Sequence, residues 1–299
     1  MPIFVKPGVR KNRIPYVFLR RLFFGVLLVG SACGSLATDE FVDDAAIKSS
    51  FETRLTELFE AGGLTTGAAI SRQLRNAGPM DPPIIPEAIV PAKGSDTVAR
   101  ARAATLVFGH LYLCDKCSKH HANLAGGVVI SPDGLVLTNY HVLDFHEAIT
   151  FGAMTADGVI YPVEQVVAAS RAEDLALVKL QGAIGMAHVP LAGNTRTGEE
   201  LFVMSHPDAH FYTLTKGFLA RKYLDPKSRV PRLQITADFA KGSSGSGVFN
   251  TSGELVGIAT STNSIYYDEN EGKKDNLQMV IKSAVPIETI RKLFTEAQP

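Results

Sequence analysis

Three short stretches of this 299-residue chain carry the residue types that an activated serine nucleophile requires. Ser244 stands in GSSGSGV (242–248), with one glycine two positions before it and another directly after it. Glycine tolerates backbone conformations that other residues resist, so this stretch predicts a tight turn that exposes one hydroxyl group. A glycine- and serine-rich segment is by itself more often a linker or an ordinary turn. The interpretation therefore depends on partners elsewhere in the chain.

Two candidate partners lie upstream, each beside an apolar run that predicts a β-strand. His141 follows the run that starts near Leu135, and Asp174 opens the run 175–180. A serine nucleophile needs a base within hydrogen-bond reach, and the base needs a third group that fixes its tautomer. Taken alone, the histidine would be a structural residue and the aspartate a turn residue. Their joint order and context predict a catalytic triad of His141, Asp174 and Ser244.

The motifs around these residues resemble those of the trypsin-like serine proteases, and within that family the bacterial HtrA-like branch. The similarity spans roughly residues 101–297. The matching segments are GGVVISPDGLVLTN and TNYHV up to the histidine, DLALVKL from the aspartate, GSSGSG and GELVGIAT around and after the serine, and SAVPIETIRKLF near the end.

This resemblance implies roles for further residues. The backbone N–H groups of Gly242 and Ser244 are expected to bind the oxyanion of the reaction. Asp238 lies six residues before the serine, where trypsin-like enzymes keep the floor of the primary pocket, which implies recognition of Lys or Arg. The surrounding loop also resembles that of the HtrA-like branch, where small aliphatic residues are preferred, and the two alternatives stay open.

Residues 260–262 are expected to complete the substrate site. The resemblance places Thr260, Ser261 and Thr262 in the pocket wall, where they would pair with the substrate backbone as an added strand.

The elements that must position these residues are short strands. About a dozen apolar runs in two groups, separated by turn signals, predict an all-β fold of two six-stranded antiparallel barrels, as in the trypsin-like fold. Apolar residues at helical spacing predict a short helical N-terminal arm within 38–78 and a C-terminal helix over 286–294. Five prolines indicate a linker over 79–97, and the protease domain is expected to occupy 98–299.

The N-terminal segment indicates export. Residues 1–37 contain six basic and no acidic residues, and a short apolar run follows Arg21, as in a signal peptide. Cleavage after Ala37 is preferred, lipidation of Cys33 is the second choice, and only lipidation would provide a membrane tether. Without this segment the chain carries 24 basic against 30 acidic residues, which disfavours nucleic acid as a partner. We expect a periplasmic or secreted protein.

Cys114 and Cys117 are the two cysteines of the mature chain. In an oxidising compartment a local disulfide between them is the simplest interpretation. Alternatively they could hold zinc, with His110, His120 or His121 completing the shell. A thioredoxin-like redox role fits poorly, because the motif does not lie in a βαβ pattern. His206 and His210 are interpreted as structural or rim residues, and His146 and His188 as surface positions.

These observations predict an exported serine endopeptidase that acts on protein or peptide substrates through an acyl-enzyme on Ser244. The alternative is a catalytically silent peptide-binding or chaperone-like module on the same fold. No cofactor and no catalytic metal are expected, and no PDZ-type peptide-binding domain is expected after the C-terminal helix. Oligomerisation stays open.

Overall fold

The computed structural model describes residues 41–79, 96–270 and 273–294. The predicted signal peptide with Cys33 and residues 80–95 of the predicted linker lie outside these ranges, so the predicted domain boundaries remain predictions.

Twelve strands of the described residues close into two six-stranded antiparallel barrels. The first barrel contains β1 (Thr105–Leu113), β2 (His120–Val129), β3 (Leu135–Thr138), β4 (Thr150–Met154), β5 (Ile160–Ser170) and β6 (Leu175–Leu180). The second contains β7 (Glu200–Ser205), β8 (Thr213–Leu224), β9 (Pro231–Ile235), β10 (Gly247–Asn250), β11 (Leu255–Asn270) and β12 (Lys273–Pro286). The neighbour orders β1-β2-β3-β6-β5-β4 and β7-β8-β9-β12-β11-β10 follow the same pattern. The predicted fold class is confirmed.

Five helices flank the two barrels within the described residues. They are α1 (Asp44–Ala61), α2 (Gly67–Asn76), α3 (Thr97–Ala104), α4 (Tyr140–Leu143) and α5 (Ile287–Arg291), the last followed by a 3-10 turn at Lys292–Phe294. The side chain of Asp43 caps α1 by accepting a hydrogen bond from the Ala46 N–H. Phe51 and Leu55 of α1 are fully buried in the core of the first barrel, as is Ile70 of α2. The helical arm is therefore part of the folded unit. No helix among the described residues combines the length and apolar character needed to cross a membrane.

Helix α3 lies at the start of the predicted protease domain, where the sequence predicted no helix. Asp96 accepts a hydrogen bond from the Ala99 N–H and thereby caps this alanine-rich segment. Alanine favours the helix most among the amino acids, and the strand begins only at Thr105. The local capping signal therefore decides the structure here.

The β11–β12 hairpin is much longer than the apolar runs 255–260 and 277–280 predicted. Its pairing continues to Asn270 opposite Lys273. Most residues of the outer part are exposed, including the apolar residues Ile265, Leu277 and Met279, so this part has no buried face. Backbone hydrogen bonds between the two strands hold this part of the hairpin together.

The two barrels approach closely at Gly126 of β2. Its N–H donates to the Ser244 carbonyl oxygen at 2.7 Å. A Cβ atom at Gly126 would lie 2.1 Å from the Oγ of Ser246, so only glycine permits this approach. The first barrel thus holds the turn of the second barrel that carries the candidate nucleophile.

Candidate active site

His141 projects from α4, directly after the fully buried strand β3. Half of its side-chain surface is exposed. The Nδ1 atom lies 2.9 Å from Asp174 Oδ2, and the Nε2 atom lies 2.9 Å from Ser244 Oγ. Because the carboxylate can only accept, Nδ1 donates to Asp174 and Nε2 is left to accept the serine hydroxyl.

Asp174 occupies a tight turn at the start of β6, with a left-handed φ of +57°. Aspartate tolerates this conformation better than most residues. Its Oδ1 also accepts the backbone N–H of His141 at 3.1 Å, and its Oδ2 accepts the hydroxyl of Thr260. These donors come from both barrels and fix the carboxylate against the imidazole.

The turn 242–245 presents backbone donors beside Ser244. Gly242 has a φ of +92°, and a Cβ there would lie 2.6 Å from the carbonyl oxygen of His206. Both the conformation and the space therefore require glycine. Within the described residues, the N–H groups of Gly242 and Ser244 donate to no protein acceptor. They are free to bind an anionic oxygen.

Asn139 links the segments of the three predicted residues, although it was not predicted from the sequence. It is fully buried, its side-chain amide donates to the Asp174 carbonyl at 2.9 Å, and its Oδ1 accepts the Gly245 N–H at 2.7 Å. One side chain thus connects the segments of the histidine, the aspartate and the serine. Its position two residues before His141 was the available signal.

An apolar cavity of about 380 Å³ opens beside His141 and Ser244. Leu124 and Phe145 line it, together with His110. Burial lowers the pKa of His110 to about 4, so its imidazole is neutral near pH 7. His110 is therefore a wall residue of this cavity and lies apart from the cysteine pair.

The predicted specificity residues do not line the cavity beside His141 and Ser244. Thr260 contacts the triad: its carbonyl oxygen is 3.5 Å from Ser244 Oγ. Thr262 and Asp238 line a second cavity, of about 410 Å³. The Asp238 carboxylate lies 2.7 Å from Lys282 Nζ, with 78% of the side chain exposed against 12% for the lysine. This cation was not predicted from the sequence, since Lys282 lies 44 positions from Asp238.

Residues 260–262 offer an open strand edge. Ser261 and Thr262 pair with β12 and are exposed, whereas β10 pairs with β11 only as far as Ile258. Among the described strands, the second edge of 260–262 therefore has no partner and could accept an extended peptide.

His206 lies in the loop that contacts the turn 242–245 at Gly242. It is buried, its Nε2 donates to the Leu106 carbonyl at 3.1 Å, and its Nδ1 accepts the Tyr212 N–H at 3.1 Å. Burial lowers the pKa of His206 to about 4, although the hydrogen bond to Leu106 opposes the shift. This neutral imidazole ties the loop that contacts Gly242 to β1 of the first barrel.

The other histidines do not join the triad. His210 is exposed and contacts the Pro207 carbonyl, His188 is half-buried against the Met186 carbonyl, and His146 is exposed.

The cysteines lie outside the active-site cavity, in the hairpin between β1 and β2. Both are free thiols, and Cys117 is exposed. With His121 they form a cluster of potential metal ligands. Hydrogen bonds from the Lys116 N–H and the Cys117 thiol lower the pKa of Cys114. Of the three histidines considered in the sequence, only His121 is brought to this pair.

Comparisons with known proteins show similarity to serine proteases. Residues 125–258 match the trypsin-like peptidase domain family. The "Serine endoprotease DegS" of Salmonella typhimurium is 28% identical over 66% of this chain and 58% of its own length. A "Probable periplasmic serine endoprotease DegP-like" of Pseudomonas savastanoi pv. phaseolicola is 31% identical over 46% of this chain and 28% of its own. The chain thus spans less than two thirds of the curated relatives it matches.

Solved structures support the same fold. The "HtrA-type protease AlgW with tripeptide" superimposes with a TM-score of 0.53 and 22% identity, covering 66% of this chain and 62% of that one. The same protease with a decapeptide gives a TM-score of 0.55 and 19% identity, covering 68% and 66%.

Proposed function

We propose that this chain, which matches the trypsin-like peptidase domain family over residues 125–258 and is similar to HtrA-like proteases, is an exported serine endopeptidase with Ser244 as nucleophile. One observation carries the proposal. The Ser244 Oγ lies 2.9 Å from His141 Nε2, and the other ring nitrogen, Nδ1, lies 2.9 Å from Asp174 Oδ2. This arrangement activates a hydroxyl that is a poor nucleophile by itself.

The chemistry follows from the positions of the three side chains. His141 takes the hydroxyl proton as Ser244 Oγ bonds to the peptide carbonyl carbon, and Asp174 stabilises the resulting imidazolium. The carbon–nitrogen bond then breaks, and His141 gives the proton to the leaving amine. Water attacks the acyl-enzyme in the same way, with His141 as base, and the ester bond to Ser244 breaks as Oγ regains a proton.

The oxyanion of each tetrahedral intermediate is assigned to the N–H groups of Gly242 and Ser244. Their preorganisation matters because they need no rearrangement when the charge develops. Losing one such donor typically costs about 3 kcal/mol of transition-state stabilisation.

The substrate is proposed to be a peptide or an extended protein segment. Its main chain adds a strand along the open edge at 260–262, and the side chain before the scissile bond enters the cavity of Asp238 and Thr262. Since Lys282 already pairs with Asp238, this cavity favours a small uncharged side chain over Lys or Arg. The peptide complexes of the similar AlgW protease support a peptide ligand.

The proposed compartment is the periplasm. The Pseudomonas savastanoi relative is named a periplasmic protease, and the basic and apolar start of this chain is typical of a signal peptide.

The experiment is active-site labelling of the full chain with a fluorophosphonate, read by intact-mass spectrometry. We expect one adduct on the wild type and none on Ser244→Ala. Ser243→Ala is the control and should also form one adduct, because the side chain of Ser243 is buried. A folded wild type that forms no adduct would refute the endopeptidase and favour a peptide-binding or chaperone-like module.

A further inference from the structure

We propose that Cys114, Cys117 and His121 form a zinc-binding site at the tip of the β1–β2 hairpin. The sequence CDKCSKHH (114–121) supplies both thiols and the imidazole within eight residues. This site does not depend on the proposed protease activity, and none of the three residues lines the cavity beside Ser244.

The ligand atoms have the spacing of a tetrahedral site. The two sulfur atoms and one ring nitrogen of His121 all lie within 4.8 Å of one another, and Cys117 Sγ is 3.3 Å from His121 Nε2. Zinc–sulfur bonds of about 2.3 Å and zinc–nitrogen bonds of about 2.0 Å place neighbouring tetrahedral ligands roughly 3.5–3.8 Å apart. Small side-chain rotations therefore suffice to enclose the ion.

The hairpin backbone holds the two cysteines close together. The Cys114 N–H donates to the Lys119 carbonyl at 3.3 Å, across the turn that contains Cys117. The thiolate is the form of cysteine that binds a metal. On binding, each thiol forms a bond to zinc and releases its proton to the solvent.

A carboxylate from α1 stands behind the histidine. Glu52 Oε1 lies 3.8 Å from His121 Nδ1 and is held by the Ala122 N–H at 3.1 Å. With Nε2 directed to the metal, Nδ1–H faces Glu52, and a carboxylate in this position helps to orient a metal-binding ring.

The histidine and its carboxylate distinguish zinc from a simple disulfide. A disulfide would use the two sulfur atoms and would not involve His121. A zinc ion uses all three ligands, and the partly exposed hairpin leaves a fourth position for water. The bound ion would fix the hairpin against α1.

The test titrates the reduced full chain with Zn²⁺ against a chromophoric chelator, and with Co²⁺ as an optical probe. We expect one ion per chain and the charge-transfer absorption of cobalt bound to thiolate. His121→Ala should weaken zinc binding at least ~100-fold, and Glu52→Gln by roughly 10–100-fold. His120→Ala is the matched control, because the ring of His120 neighbours His121 in the sequence but packs edge-on against Phe59. This variant should bind zinc like the wild type.

The result is independent of the active site, because fluorophosphonate labelling of the same samples reports the triad separately. Equal zinc binding by wild type and His121→Ala, or no binding by a reduced folded chain, would overturn the proposal. So would a chain purified without reductant that contains neither free thiol nor metal, since its cysteines then form the simple disulfide.

Discussion

Replacing Asn139 by alanine should impair both stability and nucleophile activation. The side chain is fully buried and bridges the Asp174 carbonyl and the Gly245 N–H. In the variant the carbonyl loses a hydrogen bond, whereas the N–H retains the Ala259 carbonyl at 3.0 Å. An orphaned buried group costs about 1–3 kcal/mol and a lost hydrogen bond about 1 kcal/mol, so the free energy of unfolding should fall by roughly 2–4 kcal/mol.

The same change should slow the reaction of Ser244. Without the bridge, the turns of Asp174 and Gly245 are no longer held in register, and a shift of about 1 Å in a catalytic group can cost ~100-fold in rate. We expect the second-order rate constant of fluorophosphonate labelling to fall by roughly 10–100-fold. This rate constant is measured at a temperature at which urea unfolding curves show that both the wild type and Asn139→Ala are folded.

The control for a purely structural effect is Asn250→Ala. Asn250 is also buried, and its side chain closes the β10–β11 turn through the Ser252 and Glu254 N–H groups, outside the active site. This variant should lose comparable stability while labelling at the wild-type rate. If Asn139→Ala is destabilised but labels within about twofold of wild type, the bridge does not position the triad and the reasoning fails.

Two further variants test the pocket and the buried histidine. Lys282→Met removes the cation that lies 2.7 Å from Asp238 and should increase cleavage after Lys and Arg in a peptide-library assay; an unchanged cleavage profile would contradict the assignment of this cavity. His206 should make the protein acid-sensitive, because its unfolded form takes up a proton near pH 6.5 and its native form only near pH 4. Stability should therefore decrease as the pH falls through this window, by up to roughly 3 kcal/mol at about 1.36 kcal/mol per pKa unit. Urea unfolding of the wild type and of His206→Gln at several pH values measures this dependence of stability on pH. An equal pH dependence in both proteins would refute this role of His206.

The candidate triad could be predicted from the sequence because its signals are local. Each of the three residues follows or precedes a short apolar run, and the glycines around Ser244 predict a turn. Strand alternation and turn residues depend on neighbours a few positions away, so they also predicted the two barrels and the helical arm. The outer half of the β11–β12 hairpin was missed because it mixes polar residues with exposed apolar ones and buries no face against a core.

Tertiary packing decided the contacts that join distant segments. Asn139 meets Gly245 across 106 positions, and His206 meets Leu106 across 100, because two closed barrels bring these turns together. The same closure places Lys282 on Asp238, and helix packing places Glu52 behind His121. No local pattern encodes such pairs, since they arise only when separate elements bury their apolar faces against one another. The sequence alone determined which residues could perform the chemistry, whereas the folded chain decided what holds them and which charges surround them.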